Sequence, residues 1–266
     1  MSTTPHYSTL GSGPTVLMLH GIGGGHLAFA PQLETLAQAG FRAVAWDMPG
    51  YGHSAPIEPY TFKGLAERCI ALIESLASPG RPPLTLVGHS MGGMVAQEVI
   101  VRRPDLVGRL VLCGTSSSFG KPDGEWQRQF VQERSAPLDA GHTMADVARN
   151  LVPGMAGPEA LPEGLRLAEH CMSLVSPGTY RRALEALVTF NRREALQLIG
   201  VPTLLIAGEK DPNAPPSVMQ KMAEKIPGSR YAEMAGIGHL MNLEAPDAFD
   251  QLLIDFLREP LQHRLH

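Results

Sequence analysis

Three cysteines in 266 residues, Cys69, Cys113 and Cys171, are too few and too scattered for a disulfide framework or a zinc site, and they read as small buried hydrophobes. Charge is sparse as well. Charged residues make up 18%, and Lys+Arg 22 against Asp+Glu 26 leaves a formal charge of -4, so there is no basic footprint for a phosphate backbone and nucleic acid is not an expected partner. The apolar runs at 16–19 and 204–207 are strand-sized, far short of the roughly 20 residues that cross a bilayer, so no membrane span is expected. Residues 1–10 have neither the basic start nor the apolar stretch of a signal peptide, which predicts a cytoplasmic protein. No two histidines stand four apart on a helical pattern, and no Gly-Lys-Ser/Thr follows the glycine cluster near residue 23. Neither a metal nor a nucleotide phosphate site is expected, and no cofactor is implied. The 28 Gly and 23 Pro are dispersed, which excludes collagen-like and disordered chains.

What is present is alternation. Apolar runs at 15–19, 42–46, 84–87, 110–113 and 203–207 are interleaved with amphipathic segments at 27–39, 62–76, 91–103, 217–225 and 246–257, each bounded by Gly, Pro or a polar cap. Continuous apolar strands with helices between them imply an α/β fold, a mostly parallel sheet covered on both faces. The alternation stops after Thr115. From there to Ile199 the spacing is helical, at 126–131, 144–151, 165–174 and 180–187, with Pro137, Pro153, Pro158, Pro162 and Pro177 as breakers. The chain therefore reads as a core made of 1–117 and 198–266 with a helical insertion at 118–197.

Gly88-His89-Ser90-Met91-Gly92 lies directly between a strand and a helix, the position of a nucleophile elbow. Such a turn strains its serine backbone, and the flanking glycines let strand and helix pass closely. A serine hydroxyl needs a base to take its proton, and the base needs a carboxylate to orient it. Among ten histidines, His6, His263 and His266 lie in the termini and His142 and His170 in the insertion, where a surface role suffices. His20, His53 and His89 flank turns, where bonding to backbone suffices. His239, in Gly236-Ile237-Gly238-His239 after the short strand 230–234, stands where a base is required. Asp211 follows strand 203–207 and precedes Pro212; strand alternation and that proline favour it over Glu209 as the orienting acid. After the preceding strand, residues 115–118 are all hydroxyl, so no acid competes there. An oxyanion hole needs preorganised N–H donors, and the amides of Ile22, after His20-Gly21, and of Met91 are the candidate pair.

The order Ser90, Asp211, His239 is that of the α/β-hydrolase fold superfamily. The chain resembles that superfamily over nearly its whole length, through His20-Gly21 and its following glycines, 47–54 (DMPGYGHS), 88–93, 208–211 and Gly238-His239. The resemblance implies a serine hydrolase with a helical lid inserted after the sixth strand of the standard sheet, and a structural role for 47–54 in bracing the active-site edge. Ser90 departs from the aspartate of haloalkane dehalogenases and epoxide hydrolases. Leu240 departs from the lysine of plant-type hydroxynitrile lyases and the tryptophan of meta-cleavage C–C hydrolases, and Ile22 from the aromatic residue of perhydrolases. The elbow and the tail 239–246 (HLMNLEAP) most resemble 3-oxoadipate enol-lactonase-like esterases and lactonases. The expected substrate is thus a small apolar ester or lactone, cleaved through an acyl-enzyme. Phe119, Trp126, Phe130, Met144, Met155, Met172, Tyr180 and Phe190 suggest an apolar cavity under the lid, and Arg181 or Arg182 is a candidate anchor for a substrate carboxylate. Self-association is left open. Three alternatives stand beside this reading: C–C cleavage on the same residues, a non-hydrolysing small-ligand receptor, and a dinucleotide site built on Gly23-x-Gly25-x-x-Ala28 with Asp47 as its ribose acid.

Overall fold

The computed structural model of the chain describes residues 4–77, 82–119 and 124–260. Seven strands form one sheet, β1 (Tyr7–Leu10), β2 (Thr15–Leu19), β3 (Arg42–Trp46), β4 (Leu84–His89), β5 (Val107–Cys113), β6 (Thr203–Gly208) and β7 (Arg230–Met234), in the spatial order β1-β3-β2-β4-β5-β6-β7. Only β1 runs antiparallel, pairing Tyr7 with Trp46 at the edge; all other pairs are parallel. The strand order reverses around β2 and β4, the switch point at whose carboxyl ends an open α/β sheet opens a crevice.

The period of two along each strand divides the core. Leu17, Leu19, Val44, Leu86, Leu112 and Leu205 face helices α2 (Phe62–Leu76), α3 (Met91–Arg102) and α8 (Pro216–Lys225). Val16, Met18, Ala45, Val87, Val111 and Ile206 face α1 (Ala30–Gln38) and α10 (Pro246–Arg258). On α10 the buried set Phe249, Leu253, Phe256 and Leu257 follows helical spacing and closes the second layer. The three cysteines are buried and unpaired, as their isolation in sequence suggested. No helix among the described residues is long and apolar enough to cross a membrane.

Between β5 and β6 stand four helices, α4 (Glu125–Asp139), α5 (Met144–Leu151), α6 (Pro162–Ser173) and α7 (Pro177–Leu187), and no strand beyond an isolated bridge from Ser118 to Asn191 among the described residues. Residues 120–123 of that stretch lie outside the described residues. All of the prolines expected as breakers except Pro137 stand between helices or at their starts. Pro162 and Pro177 open α6 and α7 at positions where a missing N–H costs nothing, and Pro137 lies inside α4, near its end, so that helix runs well past residue 131. A short helix α9 (Met241–Glu244), too brief to show a period, follows His239.

Candidate active site

Ser90 caps α3 with φ 52° and ψ -120°, and it is the only non-glycine residue at positive φ among those described. The strain persists because its surroundings over-determine it. Its amide donates to the Cys113 carbonyl at 2.9 Å, and its carbonyl accepts from the Thr115 hydroxyl at 2.7 Å. Close packing does the rest: a Cβ on Gly92 would overlap the Leu19 carbonyl, so only glycine lets α3 leave the elbow past β2.

Asp211, after β6, is buried, and its Oδ2 accepts from Nδ1 of His239 at 2.8 Å. Its Oδ1 accepts from the amides of Asn213 at 2.7 Å and Ala214 at 3.0 Å. Burial by itself would raise this carboxyl, but the His239 ring and the two amides outweigh burial and hold it below the usual aspartate value. Glu209, its rival in sequence, points to Lys210 and the Gly236 amide at the surface. His239 is held from both sides. Its amide donates to the Met155 carbonyl at 2.7 Å, and its carbonyl accepts from Nε2 of His89, also at 2.7 Å. Burial drives His89 down to about 3, so this ring is neutral and carries its proton on the nitrogen that donates.

Glu244 is a residue that sequence reasoning passed over. Fully buried on α9, it accepts from the amides of Gly157 at 2.8 Å and Gly238 at 2.7 Å through Oε2, and from Leu240 at 2.7 Å through Oε1. One carboxylate thus pins the peptides on both sides of His239 to the segment that precedes α6. The available signal was its position five residues after the histidine.

The Ile22 amide is aimed by its neighbours. The Gly21 carbonyl, in the same peptide plane, accepts from His20 Nδ1 at 2.8 Å and from the Gly24 amide at 3.0 Å. In a trans peptide the N–H points opposite to the C=O, so these two bonds fix the direction of the Ile22 N–H. His20 Nε2 accepts from the Met48 amide at 3.0 Å, and burial lowers this imidazole to about 4, which sets it neutral with its proton on Nδ1. The Ile22 carbonyl is held by the Tyr51 hydroxyl at 2.9 Å. Met91 opens α3, so its amide has no acceptor inside the helix.

Gly21, Ile22, His89, Ser90 and His239 line one cavity of about 410 Å³. From the four-helix segment come Trp126, Phe130, Met155, Met172 and Tyr180, with Phe119 at its start. Met144 and Phe190 are buried in packing instead. Neither Arg181 nor Arg182 lines the cavity, and Arg181 pairs with Asp139 at 2.7 Å; adjacent positions on one helix turn diverge, and the guanidinium that does line it is Arg134, on α4. His142 and His170 are exposed as expected, and His263 and His266 lie outside the described residues. His6 is not a surface residue without partners: its Nδ1 meets the Asp47 carboxylate at 2.8 Å, opposite His26 at 2.9 Å. That engagement also removes Asp47 as a ribose acceptor.

Residues 14–246 match the profile of the alpha/beta hydrolase fold. The chain belongs to that family. A solved enol-lactonase from Burkholderia xenovorans LB400 superposes on this α/β-hydrolase with a TM-score of 0.82 at 28% identity, covering 96% of each chain. The mouse serine hydrolase BPHL is 28% identical over 95% of this α/β-hydrolase and 82% of its own length. A protein of Pseudomonas savastanoi pv. phaseolicola, provisionally named carbamate hydrolase RutD, is 31% identical over 92% and 93% of the two chains.

Proposed function

We propose that the chain is a serine hydrolase that cleaves a small carboxylic ester or lactone through an acyl-enzyme, with Ser90, His239 and Asp211 as its triad. The observation that carries this reading is the pairing of a strained serine with a histidine in one cavity, the histidine bonded through Nδ1 to a buried carboxylate. With its proton on Nδ1, His239 offers Nε2 as the base. Ser90 Oγ attacks the carbonyl as its proton passes to Nε2; the imidazolium then protonates the leaving oxygen, and water repeats the sequence to release the acid. Asp211 stabilises the imidazolium while remaining ionised. The tetrahedral oxyanion lies against the amides of Ile22 and Met91, where the loss of one donor costs about 2.7 to 4 kcal/mol of barrier.

The segment 118–197 acts as the lid. Its aromatic and Met side chains favour an apolar acyl or alcohol group, and Arg134 replaces Arg181 and Arg182 as the anchor for any substrate carboxylate. The test is labelling with a fluorophosphonate, with the modified peptide mapped by mass spectrometry. Labelling at Ser90 that vanishes in Ser90→Ala and His239→Ala is expected. Absence of labelling in folded protein would overturn the triad and favour a receptor. A panel of esters, lactones, carbamates and vinylogous diketones compared by kcat/KM then fixes the bond type, and rates on diketones without rates on esters would replace ester cleavage by C–C cleavage.

A further inference from the structure

Outside the cavity, three side chains from three separate elements converge. His6 lies just before β1, His26 opens the turn that follows the glycine loop, and Asp47 directly follows β3. One ring nitrogen of each histidine and a carboxylate oxygen all lie within 4.8 Å of one another, and each Nδ1 stands 2.8 or 2.9 Å from an Asp47 oxygen. The carboxylate is almost wholly buried, while His6 and His26 keep side-chain exposures of 39% and 22%, so the cluster is reached from solvent on its imidazole side.

The backbone is built around this point. The His6 amide donates to Ser54 Oγ, whose hydroxyl donates to the Asp47 carbonyl; the Asp47 amide donates to the His6 carbonyl, and the His26 amide donates to Asp47 Oδ1. A Cβ at Gly52, which has φ +49°, would overlap the carboxylate, so the turn accommodates it only as glycine. A third imidazole, His53, lies with its ring centroid 5.0 Å from that of His6.

We propose that His6, His26 and Asp47 form a binding site for one divalent transition-metal ion of the zinc class, with His53 or water completing the coordination. Two imidazoles and a carboxylate suit zinc, which holds such ligands at about 2.0 to 2.2 Å, so that neighbouring donor atoms stand roughly 3.4 Å apart. Each imidazole nitrogen stands 2.8 or 2.9 Å from the carboxylate and the three ligand atoms lie within 4.8 Å of one another, so small ring displacements open the space for the ion. In the metal-free form each Nδ1–H donates to one carboxylate oxygen. On binding, each neutral ring changes tautomer through solvent, giving up its Nδ1 proton and taking one up at Nε2, so that the Nδ1 lone pairs pass to the ion while the ionised carboxylate supplies the third bond. His26 follows the loop that carries Ile22, so the ion ties that loop to β1 and β3 and takes no part in the reaction itself.

The experiment uses the full chain without an affinity tag, stripped with a chelator. It is titrated with Co²⁺, read by its visible absorption, and with Zn²⁺, read by calorimetry. One ion per chain is expected, with affinity weakened roughly tenfold or more in His6→Gln and in His26→Gln. Circular dichroism and a cooperative thermal transition establish that the variants are folded. Wild-type Tm should also rise with Zn²⁺ concentration, a measurement that needs no variant. Absence of binding, a Tm indifferent to Zn²⁺, or binding in both variants as tight as in the wild type would leave only a hydrogen-bonded hub and overturn the proposal. These readouts do not depend on hydrolysis, so they stand or fall separately from the triad.

Discussion

Two buried aspartates lie under imidazole rings, and under the proposed function their comparison separates a carboxylate that would serve a reaction from one that ties chain segments together. Asp211 meets one ring, His239, which lines the cavity together with Ser90. Asp47 meets two rings, His6 and His26, together with the amides of His26 and His53, and faces no nucleophile. Each carboxyl is pushed up by burial and pulled further down by its donors, so each lies below the ordinary aspartate value. Electrostatics alone therefore does not distinguish them. What distinguishes them is whether the second ring nitrogen opens onto a reacting atom.

The sharpest way to break the comparison is to neutralise each acid in turn. Asp211→Asn should lower kcat by about 10⁴-fold, because the imidazole loses its oriented tautomer. Asp47→Asn should keep kcat/KM within about tenfold but lower the unfolding free energy by about 3 kcal/mol, since four donors lose their charged acceptor. Steady-state kinetics and urea denaturation on both variants check the pair, and equal kinetic losses would erase the distinction.

His20 lies between the two regions, bonded to the Gly21 peptide and to Met48, next to Asp47. His20→Ala should lower kcat by about 100-fold with KM little changed, as the Ile22 amide loses its aim. The same ring reports on pH. Its folded value near 4 lies below the ordinary 6.5, and that of His89 near 3 lies lower still. Both are depressed, so their contribution is complete above about pH 6.5 and is lost as pH falls through the folded values. Each should remove about 1 kcal/mol of stability per pH unit within that window. Denaturation between pH 7 and 4.5 should show this slope, and His20→Ala should flatten it by about half.

The sequence made Asp211 legible and left Asp47 half-read for a physical reason. A strand end, a proline and an elbow are local signals, and they placed Ser90, Asp211 and His239 on one edge of the sheet. The partners of Asp47 lie 41 and 21 residues upstream, on no shared period, so only the pairing of β3 with both β1 and β2 brings them together. Absence of a four-residue histidine spacing excluded a helical metal site and said nothing about one assembled from an edge strand. Glu244 escaped notice because a short helix shows no periodicity, and Pro137 misled because a proline near a helix end is tolerated where its lost bond is one of few. The strands, whose alternation divides the two core layers, were legible almost throughout.

The smallest expected effect concerns Arg134, the cation that the cavity does contain. Its guanidinium lies 5.3 Å from the Phe130 ring centroid, and that ring and Trp126 stack at 5.3 Å, so the charge rests on an aromatic floor within an otherwise apolar lining. The floor fixes the position of the guanidinium, but the group is half-exposed, and solvent screening limits what its charge contributes. Arg134→Ala should therefore reduce the preference for an ester bearing a carboxylate over its neutral counterpart by about tenfold, acting mainly through KM. Arg134→Gln, which keeps most of the stem, should lose the charge preference while retaining rates on neutral esters. If both variants slow neutral and anionic esters equally, Arg134 packs the four-helix segment and reads no charge.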